Sequence, residues 1–186
     1  MRFWFTRLQQ GRLSLLVSFL SGALGVCAFA PLEQFWLMPV LLALLFHLLR
    51  QAENWKQAAW RSTLFGLGLF LAGVSWVYVS MYVYGGMSRV MAALPTLLLC
   101  FVLASGHPAF GGAFHYYLPK TPGRQALFFA GIYGLIDLMR GWLFTGFPWL
   151  ALGYSQTPPS PLAGYAAIFG VYGVSFFTAL IAAWAV

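Results

Sequence analysis

Long runs of apolar residues, broken by short clusters of Gly, Pro and polar side chains, dominate the pattern of this chain. Crossing a bilayer takes about 20 predominantly apolar residues, and the runs at about 13–30, 35–50, 62–82, 90–117, 126–140 and 164–186 predict six helices. Pro31 with Glu33 separates the first pair, and the polar stretch Gln51 to Arg61 the second. Gly85-Gly86, then Pro119 to Arg124, and then a long segment over 141–163 containing Pro158-Pro159 and Pro161 mark the remaining breaks. The second and fifth runs are short for a span, which predicts tilt or interfacial ends. The fourth is long, and Gly106, Pro108, Gly111 and Gly112 predict a kink or break within it.

Composition agrees with the pattern. Hydrophobic residues make up 61% of the chain and charged residues 7%, against roughly a quarter charged in soluble domains. The fold class predicted is therefore an all-α polytopic membrane protein. Eight Trp and nine Tyr suit two interfacial belts. The net charge of +7 does not indicate nucleic acid, because the ten Lys and Arg are scattered singly rather than gathered into a patch. They instead report orientation: Arg2, Arg7, Arg12, Arg50, Lys56, Arg61, Lys120 and Arg124 fall on one side, and Arg89 and Arg140 on the other. A cytoplasmic N-terminus follows, with the 141–163 segment facing outward. The first run lacks a small-x-small cleavage pattern before Pro31 and reads as a retained helix. The last residues, Ala182 to Val186, are still apolar and carry neither cap nor basic anchor, so a chain cut inside or at the end of a helix is expected.

Residues 140–156, Arg-Gly-Trp-Leu-Phe-Thr-Gly-Phe-Pro-Trp-Leu-Ala-Leu-Gly-Tyr-Ser-Gln, depart most from that pattern. An Arg at a bilayer midplane costs roughly 2.5–3.5 kcal/mol. Pro148, Gly141, Gly146 and Gly153 would also interrupt the internal hydrogen bonding that lipid-exposed backbone needs. The segment belongs at an interface or in a protein-lined cavity. Asp137 and Arg140 stand at helical i, i+3 spacing and can pair. Two readings of Arg140 stay open: an interfacial ion pair that ends the fifth helix, or a guanidinium that holds a lipid phosphate. Trp142, Phe147 and Trp149 read either as an aromatic belt or as an apolar wall shaped by Pro148.

Other candidate chemistry is weaker. Cys27 and Cys100 lie in apolar runs without a base or an electropositive setting. His47, His107 and His115 match no metal spacing, and no cofactor or metal is expected. Gly153-Tyr154-Ser155-Gln156-Thr157 begins like a nucleophile elbow but lacks the final Gly, leaving Ser155 as a loop hydrogen-bonder. Glu33, Glu53 and Asp137 are the three acids, and Lys56 and Lys120 fall on the cytoplasmic side. No catalytic residue is assigned.

The 140–156 segment, together with Ser75-Trp76-Val77-Tyr78-Val79-Ser80, Tyr84-Gly85-Gly86-Met87 and Gly170-Val171-Tyr172-Gly173-Val174-Ser175-Phe176, resembles the membrane domain of bacterial apolipoprotein N-acyltransferases. That resemblance implies transfer of an acyl chain from a phospholipid donor to the amino group of a lipoprotein's diacylglyceryl-cysteine, at the bacterial inner membrane. It also implies a nitrilase-like periplasmic domain that carries a Glu, a Lys and a nucleophilic Cys, absent from 1–186. This stretch would then supply anchoring and lipid access and be inactive alone, with Trp149, Arg140, Trp142, Phe147, Pro148, Tyr154, Trp76 and Tyr78 as substrate-contacting positions. Family members commonly carry Glu at the place of Asp137, Asn at Ser75, Phe at Tyr84 and Pro at Ser88. Two other classes remain: a small multi-pass transporter or channel, against which the lack of an internal repeat counts, and a membrane scaffold. Oligomeric state is not indicated.

Overall fold

Apolar runs become helices because lipid offers backbone groups no hydrogen-bond partner outside the chain. The computed structural model describes residues 11–186, without the side chain of Phe144. Arg2 and Arg7, counted above for orientation, lie outside the described residues. Eight helices follow in order: α1 (Gly11–Gly25), α2 (Leu37–Arg50), α3 (Trp55–Gly73), α4 (Trp76–Val79), α5 (Arg89–Ala104), α6 (Gly106–Tyr116), α7 (Pro122–Arg140) and α8 (Ala166–Trp184). No strand occurs among the described residues.

Helix starts follow local chemistry. The Asn54 side chain accepts the Gln57 N–H at 2.9 Å to cap α3, while Gln57 accepts the Glu53 N–H at 2.7 Å, satisfying two otherwise orphaned donors. Pro122 opens α7, where its missing N–H costs nothing. The expected break in the fourth run falls at Ser105, between α5 and α6.

Four helical stretches are long and apolar enough to cross a membrane: Gly11–Ala28, Trp55–Tyr84, Arg89–Tyr116 and Ala163–Trp184. The two remaining expected spans fall short by those measures. Helix α2 has 14 residues. Helix α7 has 19, but Gln125, two Arg and Asp137 dilute its apolar character. The third run also differs from one continuous helix. It stops at Gly73, turns through Val74 and Ser75, and resumes as α4 and a π-helical turn over Ser80–Tyr84.

Small residues let the helices approach closely. A Cβ on Gly22 would collide with the Phe65 carbonyl, and one on Gly68 with the Phe19 carbonyl, so α1 and α3 meet backbone to backbone. Gly111 stands equally close to the Ala58 carbonyl, bringing α6 against α3. Between α2, α6 and α7 lies an aromatic core in which the Phe129 ring centroid is 5.1 Å from that of Phe46, 5.3 Å from Phe110 and 5.8 Å from Phe114.

Arg61, expected at the border of the third span, is instead wholly buried at 0% exposure. Its Nε donates to Ser14 Oγ at 3.2 Å and its Nη1 to the Leu48 carbonyl at 2.6 Å. A cation can be buried there because α1 and the end of α2 bring acceptors to it. The same contacts gather the helix ends that carry Arg12, Arg50 and Lys56.

Candidate functional site

Helix α7 delivers Asp137 and Arg140 to the foot of the 141–165 segment, and one turn of helix places them on one face. Arg140 Nη2 and Asp137 Oδ1 are 2.7 Å apart, and the two side chains are only 8% and 4% exposed. A buried ion pair of this kind holds only if the remaining hydrogen-bond positions are filled. Here they largely are. Asp137 Oδ2 accepts the Leu152 N–H at 2.7 Å and the Ser175 hydroxyl at 2.9 Å. Arg140 Nη1 donates to the Phe147 carbonyl at 3.3 Å and also to the Trp149 carbonyl. The guanidinium also lies over the Phe70 ring, with Cζ 4.9 Å from its centroid.

These bonds shape the segment that follows. The Phe147 N–H returns to the Arg140 carbonyl at 2.9 Å, closing a loop through Gly146, whose φ of +81° only Gly adopts easily. Thr145 and Leu150, at φ +75° and +57°, take backbone conformations that side chains seldom visit. Such conformations persist where surrounding contacts over-determine them, and around Leu150 those contacts are Arg140, bonded to the Trp149 carbonyl, and Asp137, bonded to the Leu152 N–H. Farther along, the Gly153 N–H donates to Ser175 Oγ at 2.8 Å. Gly153 is pressed so close to α8 that a Cβ would meet the Val171 carbonyl. Gln156 Nε2 reaches the Phe35 carbonyl at 3.0 Å, tying the segment to the turn before α2.

Trp149 crosses to α3. Its indole N–H donates to the Gly73 carbonyl at 3.3 Å, one of the acceptors left open where the helix stops. Its ring lies 5.3 Å from that of Trp76 and 6.5 Å from that of Phe147. Trp149 nonetheless remains 48% exposed. The structure thus brings Arg140, Phe147, Trp149 and Trp76 together, with Pro148 exposed on the turn between the two aromatics. Trp142, at 82% exposure, and Tyr154, at 47%, stand on the surface of the same segment. Tyr78 stacks on Tyr82 at 5.7 Å. Ser155, read as a loop hydrogen-bonder, donates to the Leu152 carbonyl at 2.7 Å.

Ser175 and Phe70 complete the site without having been singled out from the sequence. Ser175 stood inside a motif quoted for its resemblance, and Phe70 inside an apolar run where one Phe looks like another. Among the described residues, no three His, Cys, Asp or Glu side chains converge as a metal would require. His107 is buried between Phe70 and Tyr133, each ring 6.0 Å away.

A family model described as apolipoprotein N-acyltransferase N-terminal domain matches residues 21–184. The chain belongs to that family. A family protein of Nitrosomonas europaea named apolipoprotein N-acyltransferase is 43% identical over 179 residues, covering 94% of this chain and 35% of the relative. One of Ralstonia nicotianae with the same name is 43% identical, covering 88% and 32%. Another, of Azotobacter vinelandii, is 40% identical, covering 97% and 34%. The chain spans about a third of the length of these curated relatives.

Proposed function

We propose that these residues form the membrane part of an apolipoprotein N-acyltransferase. In this reading the protein passes the bacterial inner membrane several times, six in all when α2 and α7 are counted, with its N-terminus in the cytoplasm and the 141–165 segment facing out. The whole enzyme moves an acyl chain from a phospholipid to the N-terminus of a diacylglyceryl lipoprotein. The covalent chemistry belongs to a nitrilase-like portion outside residues 1–186, and this stretch, inactive by itself, supplies anchoring and lipid access.

The observation that carries the reading is the way the outer segment is held. Asp137 and Arg140 fasten it from beneath, α8 holds it at Gly153, and Trp149 joins it to the end of α3. Aromatic side chains remain exposed on it: Trp142, Trp149 and Tyr154, with Trp76 packed against Trp149 from the α4 side, Phe147 and Tyr78 half-buried, and Pro148 on the turn. A fixed apolar edge suits a border along which acyl chains enter, because a rigid surface loses little entropy when it binds.

Trp149→Ala in the full-length enzyme tests this. Normal abundance with acyl transfer reduced about tenfold or more is expected, the loss of roughly 1.4 kcal/mol of substrate interaction. Normal abundance with unchanged transfer would leave the segment as scaffold only.

A further inference from the structure

The end of the fold opposite the 141–165 segment concentrates positive charge. Arg50 closes α2, Lys120 precedes α7 and Arg124 stands in its first turn, and all three are exposed. None of the three is paired with a carboxylate among the described residues. Asp137 is held by Arg140 at the far end of α7, and Glu33 lies in the turn before α2, a helix length from Arg50. Glu53, between α2 and α3, is the one acid at this end among the described residues, against Arg12, Arg50, Lys56, Lys120 and Arg124.

A cavity of about 130 Å³ opens within this charge, between the end of α2, the start of α7 and the end of α8. Phe46, Ala126 and Ala183, all buried, line it, and Arg50 is the one charged side chain in its lining. The Arg50 guanidinium lies 5.5 Å from the Phe46 ring centroid, and none of its N–H donors has a protein acceptor among the described residues. Lys120 and Arg124 flank Pro122 and Gly123, which form the α7 side of the opening.

Aromatic side chains set the depth. Tyr116, Tyr117 and Trp184 stand at this end and are largely exposed, and Tyr and Trp settle at headgroup level. The opening therefore meets lipid phosphates rather than acyl chains. Charge then selects among headgroups. A net-negative one gains from every nearby cation, whereas the ammonium of a zwitterionic phosphatidylethanolamine would enter a patch of its own sign.

We propose that this cavity, with Arg50, Lys120 and Arg124 around it, binds the headgroup phosphate of an anionic phospholipid. Basic pockets between membrane helices on the cytoplasmic side take such headgroups. Arg124 and Arg140 lie about 24 Å apart along α7 at 1.5 Å per residue, so this lipid is not the acyl donor met at the outer segment. Its assignment to the inner leaflet rests on the orientation proposed above; the binding chemistry does not.

Native mass spectrometry of the full-length enzyme in detergent tests this, with phosphatidylglycerol or phosphatidylethanolamine of the same acyl chains added singly. Phosphatidylglycerol should bind at least fivefold more tightly. Arg50→Gln and Arg124→Gln should each weaken it about fivefold, corresponding to about 1 kcal/mol per charge removed. Arg50→Lys, which keeps the charge, should retain most of the binding. Arg89→Gln removes an exposed cation at the other end and should leave the binding unchanged. Equal affinity for the two lipids, unchanged binding in both charge-removing variants, or an equal loss in Arg89→Gln would overturn the proposal. The measurement needs neither acyl transfer nor a defined orientation, so its failure is distinct from failure of the Trp149 test.

Discussion

Asp137 and Ser175, 38 residues apart in the chain, share a hydrogen bond of 2.9 Å from the serine hydroxyl to Oδ2, and that serine passes the connection on to the Gly153 N–H. One carboxylate therefore reaches α8, the 152–153 turn and Arg140 at once. Ser175→Ala should leave the buried Gly153 N–H without an acceptor, at a cost of about 1–3 kcal/mol. Asp137→Ala should cost more, about 3–5 kcal/mol, because it strands a buried guanidinium. Asp137→Asn should fall between wild type and Asp137→Ala. Thermal midpoints of the purified full-length variants in detergent check the ranking.

Gly153→Ala should destabilise the 141–165 segment although it adds one methyl group, since the Cβ meets the Val171 carbonyl and backbone must move. Gly131→Ala on α7, where a Cβ meets nothing within 4 Å, is the matched control and should be neutral or stabilising. Limited proteolysis of the 141–165 segment should quicken in the first variant and not in the second.

Orientation can be read chemically. Trp142→Cys should react with a membrane-impermeant maleimide added to spheroplasts, above the background of the parent enzyme. Glu53→Cys, exposed at the opposite end of the fold, should react only after the membrane is permeabilised. The reverse pattern would turn the protein over.

Much of this was legible in the sequence. Apolar runs located the helices, Gly106 and Pro108 announced the break beside Ser105, and the i, i+3 spacing of Asp137 and Arg140 foretold their pairing. What stayed hidden depends on contacts that local pattern does not encode. Arg61 looks like a border charge until α1 and α2 supply its acceptors. The reach of Trp149 to Gly73 spans 76 residues. Gly66, Gly68 and Gly73 are small enough for neighbours to approach α3 closely, but nothing in their spacing says that α1 and α6 are among them.

The end of α3 has a consequence for biogenesis. Translation emits the Gly73 carbonyl and the Phe70 ring long before Trp149 and Arg140, their eventual partners. Helices α1 to α3 are therefore expected to enter the bilayer with one flank unfinished. That flank waits for a later piece of the same polypeptide, which makes docking of the 141–165 segment a late closing step in assembly.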